Sequence, residues 1–369
     1  MKIVHLTNHL NIGGITSYLL GLSVGLKNSG HTVYIASGGG EMLSRFLEAG
    51  IIHITLPLRT KKEIGLKVLY SALKLKEEVR KRGIEVIHSH SRTTQVTGYL
   101  VSRLTGAHYL STCHGFFKPR ILRRIFPCWG ERVIAISQQV REHLVSDFQI
   151  NEEIIAVIPN GIDIERLQEL SAEEKNREEA RTRFGLTGNP VIGIIARLSD
   201  VKGHSYLISA MKKVLEKYPQ AQLFIVGDGK EKARLVRLAA ELKIEDNVVF
   251  LSNVVDTREA LSAIDLFVMP SLKEGLGLAV LEAMAAAKAV IVSNTGGLKS
   301  LINDGVTGLL VEPQDTEGLA SAISGLVADE SRRRLLGKAA QEFVSKNFSQ
   351  EKMVRETERM YFECVKPKS

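Results

Sequence analysis

The chain has 369 residues, 44% hydrophobic and 24% charged, which excludes a disordered, fibrous or single small-module protein and leaves room for two domains with separate cores. No segment approaches the roughly 18 unbroken apolar residues of a membrane span, and the opening MKIVHLT, interrupted by His5 and followed by Asn8 and His9, lacks the apolar stretch of a secretory leader, so the expected location is the cytoplasm. The formal net charge of +8 lies almost wholly in the first half, where residues 1–165 hold 20 Lys+Arg against 13 Asp+Glu.

Short runs rich in Val and Ile predict strands at residues 2–7, 32–37, 85–89, 108–112, 132–137 and 156–160, separated by longer helical patterns. A second series follows at 191–196, 222–227, 247–251, 265–270, 289–293 and 308–311. Each run is the near-continuous apolar type of a parallel strand covered on both faces, so the expected fold is α/β, two doubly wound Rossmann-like domains facing each other across a cleft. The charged stretch 165–183 and the turn residues of 185–190 separate the series, which puts the boundary at 168/169. The three cysteines, Cys113, Cys128 and Cys364, have no C-x-x-C spacing and read as reduced bystanders.

Ligands of open α/β sheets bind at the carboxyl ends of the strands. Gly13 and Gly14 follow the first strand, where their backbone could approach a diphosphate at a helix start; taken by themselves a plain tight turn is the simpler explanation. Neither a G-x-G-x-x-G fingerprint nor a P-loop is present. Arg197 and Lys202 occupy the loop after the first strand of the second series, where two cations could offset charge on a departing nucleoside diphosphate, although on these residues alone a solvated loop with surface charges is the simpler account. In PSLKEGLGLAVLE, residues 270–282, Glu274 falls in a strand-end loop and Glu282 two helical turns later among Ala and Leu. A buried acid there needs a hydrogen-bond partner, such as a ribose diol, backbone donors or a buried cation.

Taken in order, Gly13-Gly14, His114-Gly115, the NGID of 160–163, Arg197-x4-Lys202, the VGDG of 226–229, Glu274-x7-Glu282, Gly296-Gly297 and the NDGVTGLLV of 303–311 resemble one family over nearly the whole chain. The sequence looks like a family 4 retaining glycosyltransferase of the GT-B fold. The resemblance implies that Arg197 and Lys202 hold the donor's diphosphate, with Gly13, Gly14, Gly227, Gly275, Leu276 and the amides of Gly277 and Leu278 completing the cradle. It implies that Glu282 binds the ribose hydroxyls, Glu274 the hydroxyls of the transferred sugar, and the backbone near Val254 the base. His114 would lie against the donor sugar, making His114, Glu274, Arg197 and Lys202 the catalytic set. Attack on the donor's own leaving-group face, with the departing phosphate taking the acceptor proton, would need neither a protein nucleophile nor a divalent metal. Cofactors are therefore expected to be none, and a final helix at 350–365 would return to the first domain.

The sequence departs from the family pattern at Leu276 (commonly Phe), Ala287 (Gly), Ala289 (Pro) and Ser300 (Glu). Ser300 removes an acid that could contact the donor, while the others alter packing or a turn. His88 and His90 share one strand face, yet no third metal ligand is evident nearby, so a structural or acceptor-lining role is expected. Trp129 suits a lipid interface or the core. Asp163 reads as turn chemistry.

Residues 59–82 carry nine basic and three acidic residues, and 116–127 four basic and none acidic. Phe116, Phe117, Ile121, Leu122, Ile125 and Phe126 interleave with Lys118, Arg120, Arg123 and Arg124. That mixture fits an anionic membrane surface, and no nucleic-acid fold signature accompanies it, while a solvated basic helix face accounts for 59–82 as well. The expected activity is sugar transfer from a nucleotide sugar to a glycan or glycolipid in cell-envelope synthesis, by an enzyme in the cytoplasm or docked on the inner membrane face. A sugar-nucleotide epimerase or hydrolase, or a non-catalytic binding subunit, could share the fold.

Overall fold

The computed structural model describes residues 1–365 other than 61, 172, 173, 253 and 255, with 122, 170, 171, 174 and 175 described by backbone alone. The chain divides into two compact units. The first comprises Met1–Gly161 and the C-terminal helix Gln350–Val365; the second is Ile162–Ser349. Residues 162–168 thus belong with the second unit, not the first. The charged run that suggested the boundary contains the helix Ile164–Ser171, which packs on the helices Arg258–Ala263 and Leu278–Ala285. Arg166 pairs with Asp256 there at 2.9 Å.

In the first unit, strands β1 (Lys2–Leu6), β2 (Thr32–Ser37), β3 (Ile52–Thr55), β4 (Val86–Ser89), β5 (His108–Cys113), β6 (Arg132–Ala135) and β7 (Ile155–Val157) form a parallel sheet in the order β3-β2-β1-β4-β5-β6-β7. The sequence reading missed β3, whose four residues IHIT sit at the sheet edge with only Ile54 buried, too short and too polar a run to stand out. The second unit repeats the arrangement with β8 (Val191–Ile195), β9 (Gln222–Val226), β10 (Val248–Leu251), β11 (Leu266–Met269), β12 (Ala289–Ser293) and β13 (Leu309–Val311), ordered β10-β9-β8-β11-β12-β13. Both are doubly wound Rossmann-like sheets, and strand order reverses between β1 and β4 and between β8 and β11. Those switch points are where ligands of such sheets bind.

One face of the first sheet packs Ile3, Ile35, Val86, Leu110 and Ile134 against the helix Gly14–Asn28 and against Met353, Val354, Met360 and Tyr361 of the C-terminal helix. These two helices touch closely because Gly25 has no side chain; a Cβ there would come within 2.4 Å of Val354. The opposite face buries Val4, Leu6, Ile87 and Tyr109 under the helices Leu66–Arg82 and Arg92–Thr105. All three cysteines are free and buried. Among the described residues no helix is long and apolar enough to cross a membrane.

Candidate active site

In the second unit the strand-end loops are laced backbone to backbone. The amide of Leu272 donates to the Val201 carbonyl at 2.8 Å, that of Gly297 to Glu274 at 2.9 Å, and that of Leu198 to Asp228 at 2.9 Å. Glycine makes this approach possible: a Cβ at Gly227 would lie 2.1 Å from the Ala196 carbonyl oxygen, and one at Gly296 or Gly297 about as close to the carbonyls of Glu274 or Gly275. The double glycine at 296–297 is thus explained by packing on the loop that carries Glu274. Ser300, where an acid was expected, donates from its hydroxyl to the Gly297 carbonyl at 2.7 Å and closes the same turn.

These loops bring Lys202 and Glu274 into direct contact, the ammonium donating to the carboxylate, both side chains largely buried. Arg197, at the head of the same loop as Lys202, is exposed, and its guanidinium has no side-chain partner among the described residues. Gly277, at φ 98°, opens the helix Leu278–Ala285, whose N-terminus therefore begins beside Glu274; Leu276 is buried as packing. Arg197 and Lys202 on one loop, with a helix N-terminus opening at Gly277, suit an anion such as a diphosphate that displaces Glu274 from the ammonium.

Glu282 sits in the second turn of that helix and accepts a hydrogen bond from the Thr257 hydroxyl at 3.0 Å. Burial, with Asp256 nearby, pushes its carboxyl up to about 7 despite this bond. No cation pairs with it among the described residues, because Arg258 and Arg166 are committed to Asp256. The sequence reading missed Thr257, since its partnership is set by how the loop after β10 meets the helix. Val254 lies in that loop between residues outside the description.

The first unit holds a second constellation. Gly13, at φ 157°, caps the helix Gly14–Asn28 with nothing within 4 Å of where a Cβ would be. Tyr18 on this helix meets the His114 ring edge-on at 4.8 Å between centroids. His114 is in turn linked to His90 (3.2 Å), and His90 to His5 (3.0 Å). His88 is held by the Tyr361 hydroxyl and by Thr112, both at 2.7 Å. The third histidine that the sequence reading found lacking is therefore His5, brought opposite His88 by the β1–β4 register. One nitrogen from each of His5, His88 and His90 lies within 4.8 Å of the others. Both nitrogens of His88 and of His90 are, however, already hydrogen-bonded, so the cluster is built as a bonded stack. Burial pushes His5 and His114 down to about 3, and His88 and His90 well below the usual imidazole range.

The basic stretch after His114 is only partly a surface. Glu63 accepts from Arg123 at 3.0 Å and from the buried Arg92 at 3.3 Å, and these arginines more than offset burial to hold its carboxyl below the usual range. Arg123 is thus a structural cation, not part of a free patch. Phe116 packs on His143, and Phe117 approaches Trp129, which is buried against Phe148. The core reading of Trp129 holds, and Phe116 and Phe117 are half-buried beside it. Lys118, Arg120, Ile121, Arg124 and Ile125 remain exposed, while the Leu122 side chain lies outside the described residues. Asp163 accepts from the Arg166 amide at 3.1 Å and caps the helix Ile164–Ser171, as its turn chemistry suggested.

A family model described as "Glycosyltransferase Family 4" matches residues 12–166, and one described as "Glycosyl transferases group 1" matches residues 176–343. The alpha-maltose-1-phosphate synthase of Mycolicibacterium smegmatis is 30% identical, over 75% of this chain and 78% of its own. The UDP-Gal:alpha-D-GlcNAc-diphosphoundecaprenol alpha-1,3-galactosyltransferase of Escherichia coli is 25% identical, over 99% and 97%. The crystal structure of a glycosyltransferase from Rickettsia africae is similar with a TM-score of 0.87 and 26% identity, over 99% and 98%.

Proposed function

The chain belongs to the family 4 glycosyltransferases of GT-B architecture, and from that premise we propose that it moves one sugar, with retention, from a nucleoside diphosphate donor to a hydroxyl of a lipid-linked glycan in cell-envelope polysaccharide synthesis. The observation that carries this reading is the Lys202–Glu274 ion pair at the β8/β11 switch point, with the exposed Arg197 at the head of the Lys202 loop. In this reading Arg197 and Lys202 bind the diphosphate, Glu274 accepts from hydroxyls of the sugar, and Glu282 with Thr257 receives the ribose diol. His114 contacts the transferring sugar. The bond from the anomeric carbon to the β-phosphate oxygen breaks, the acceptor oxygen bonds to the same face, and its proton passes to the departing phosphate. The two cations stabilise the charge growing on that leaving group, the office a divalent metal fills elsewhere, so turnover proceeds without one.

The lipid-linked acceptor is supported by the substrate named for the Escherichia coli relative and by a surface of the first unit. Along the helix Leu66–Arg82, Leu66, Leu69, Tyr70 and Leu73 form an exposed apolar stripe at helical spacing, with Leu66 86% exposed. Ile121 and Ile125 are exposed on the short helix Ile121–Ile125, which Arg123 ties to Glu63 at the entrance of the first helix. With Lys67, Lys74, Arg120 and Arg124, this forms an amphipathic basic face suited to an anionic bilayer on the cytoplasmic side.

Incubation with UDP-, GDP- and ADP-sugars and polyprenyl-diphosphate-linked glycans, read by mass spectrometry and NMR, tests the proposal. One donor should give a product of unchanged anomeric configuration, at a rate unaffected by EDTA. An inverted product, release of free sugar alone across the panel, or loss of turnover in EDTA restored by a divalent ion would each overturn the corresponding part.

A further inference from the structure

The histidine stack contains more order than packing needs. His114 Nε2 faces His90 Nδ1 at 3.2 Å, and His90 Nε2 faces His5 Nδ1 at 3.0 Å. At the buried end, His5 Nε2 has no hydrogen-bond partner among the described residues. At the other end, His114 keeps some exposure and its Nδ1 has no protein partner among the described residues. Burial keeps all three rings neutral at neutral pH.

A neutral imidazole carries one proton and one lone pair, so each ring donates through one nitrogen and accepts through the other. In a chain of three such rings only two arrangements satisfy both internal bonds. Either every proton is on Nδ1, with His5 donating to His90 and His90 to His114, or every proton is on Nε2 and both bonds run the other way. A mixed arrangement sets two N–H groups, or two lone pairs, against each other in a buried site, and the polar groups so stranded are costly. The first arrangement leaves His114 Nδ1 as a donor, the second as an acceptor.

We propose that His90 and His5 are positioning residues for His114, locking the three rings into one shared tautomer so that the core end of the chain helps set whether His114 presents a proton or a lone pair to substrate. His88 stands outside the chain and braces it: its ring lies 4.1 Å from that of His90, and its own nitrogens are fixed by Thr112 and by Tyr361 of the C-terminal helix. The substrate end rests on the proposed function, in which His114 meets the transferring sugar. The shared tautomer does not.

Long-range proton–nitrogen NMR on protein labelled at histidine nitrogen reports the tautomer of each ring directly. The wild-type protein should show His5, His90 and His114 neutral at pH 7.5 and all in the same form. Replacing His5 by Phe, which keeps a ring but removes both nitrogens, should leave His114 in a mixture of forms, a change that a merely space-filling His5 would not produce. Different tautomers among the three wild-type rings overturn the proposal, and that measurement stands even where the variant fails to fold. Stoichiometric Zn(II) binding lost on replacing His5 or His90 would overturn it too, because a metal takes the lone pairs the chain uses. If the shared tautomer is found but no sugar transfer is detected, the fault lies with the proposed function and not with the chain.

Discussion

Lys202 and Glu274, 72 residues apart in sequence, form one ion pair across the loops that follow β8 and β11. Both side chains are largely buried, so each neutralises a charge that would be costly alone. The pair also holds the only charges these two residues can bring to a ligand. A diphosphate competes with Glu274 for the ammonium, and a sugar hydroxyl competes with Lys202 for the carboxylate, so donor binding exchanges one set of charge-assisted bonds for another.

Replacing Lys202 by Ala should lower the transfer rate about 100-fold at saturating donor, the usual cost of one preorganised electrostatic contact to a leaving group. It should also cost about 1 to 3 kcal/mol of stability by leaving Glu274 without its cation. The double replacement with Glu274→Ala should regain much of the stability and none of the rate. Steady-state kinetics and chemical denaturation on the three variants separate the two effects, and unchanged turnover in Lys202→Ala would remove the residue from the chemistry.

The acids should divide between nucleotide and sugar. Glu282→Gln should weaken free nucleoside diphosphate and whole donor alike, whereas Glu274→Gln should spare the free nucleotide; equal losses by calorimetry would refute this. Glu282 also has a stability signature. Its carboxyl titrates at about 7 in the fold against an ordinary value of 4.5. The folded state therefore holds more protons between those values, and stability falls as pH rises through that window. Glu282→Gln escapes the fall, so its advantage in Tm over the wild type should be larger at pH 8 than at pH 5.

The histidine stack acts in the opposite sense. Burial takes His5 and His114 from 6.5 to about 3, and His88 and His90 well down, so below pH 6.5 the unfolded chain binds protons that the fold refuses. Stability is whole above 6.5 and is lost as pH falls, by about 1.4 kcal/mol per pH unit for each histidine fully engaged. Four such groups outweigh the single Glu282. Denaturation midpoints should drop steeply between pH 6.5 and 5, with net uptake of more than one proton on unfolding; a flat profile would show the rings to be protonated in the fold.

Which of these features the sequence disclosed follows from how far apart their parts lie. That Lys202 and Glu274 would meet was legible because strand-end loops of a doubly wound sheet converge whatever their details, whereas a role for Arg197, which shares the Lys202 loop, rested on the family resemblance. The Val- and Ile-rich runs located both sheets, though not β3, whose edge position asks little hydrophobicity of it. The histidine stack was half legible: HSH marked one face at the end of β4, but His5 joins it only through a strand register that local pattern does not carry. Arg123 misled for a related reason. Its neighbours in sequence are basic and apolar, while its partner Glu63 lies 60 residues upstream.

That correction shapes the test of membrane docking. The candidate face consists of Leu66, Leu69, Tyr70, Leu73, Ile121 and Ile125 with Lys67, Lys74, Arg120 and Arg124 around them. Each basic residue near an anionic surface contributes about 1 kcal/mol, and the exposed side chains add apolar insertion. Neither contribution suffices alone, so binding should be reversible and weakened by salt. In co-sedimentation, vesicles containing phosphatidylglycerol should retain the protein at low salt far better than phosphatidylcholine vesicles do. Replacing Lys67, Arg120 and Arg124 by Ala should reduce that retention, and Leu66→Ser with Ile121→Ser should reduce what persists at high salt. Arg123→Ala should behave differently: by leaving Glu63 with less of its positive charge it should lower Tm, while the folded fraction still sediments with anionic lipid. Equal partitioning to both lipids, or retention indifferent to the triple replacement, would return these side chains to an ordinary solvated surface.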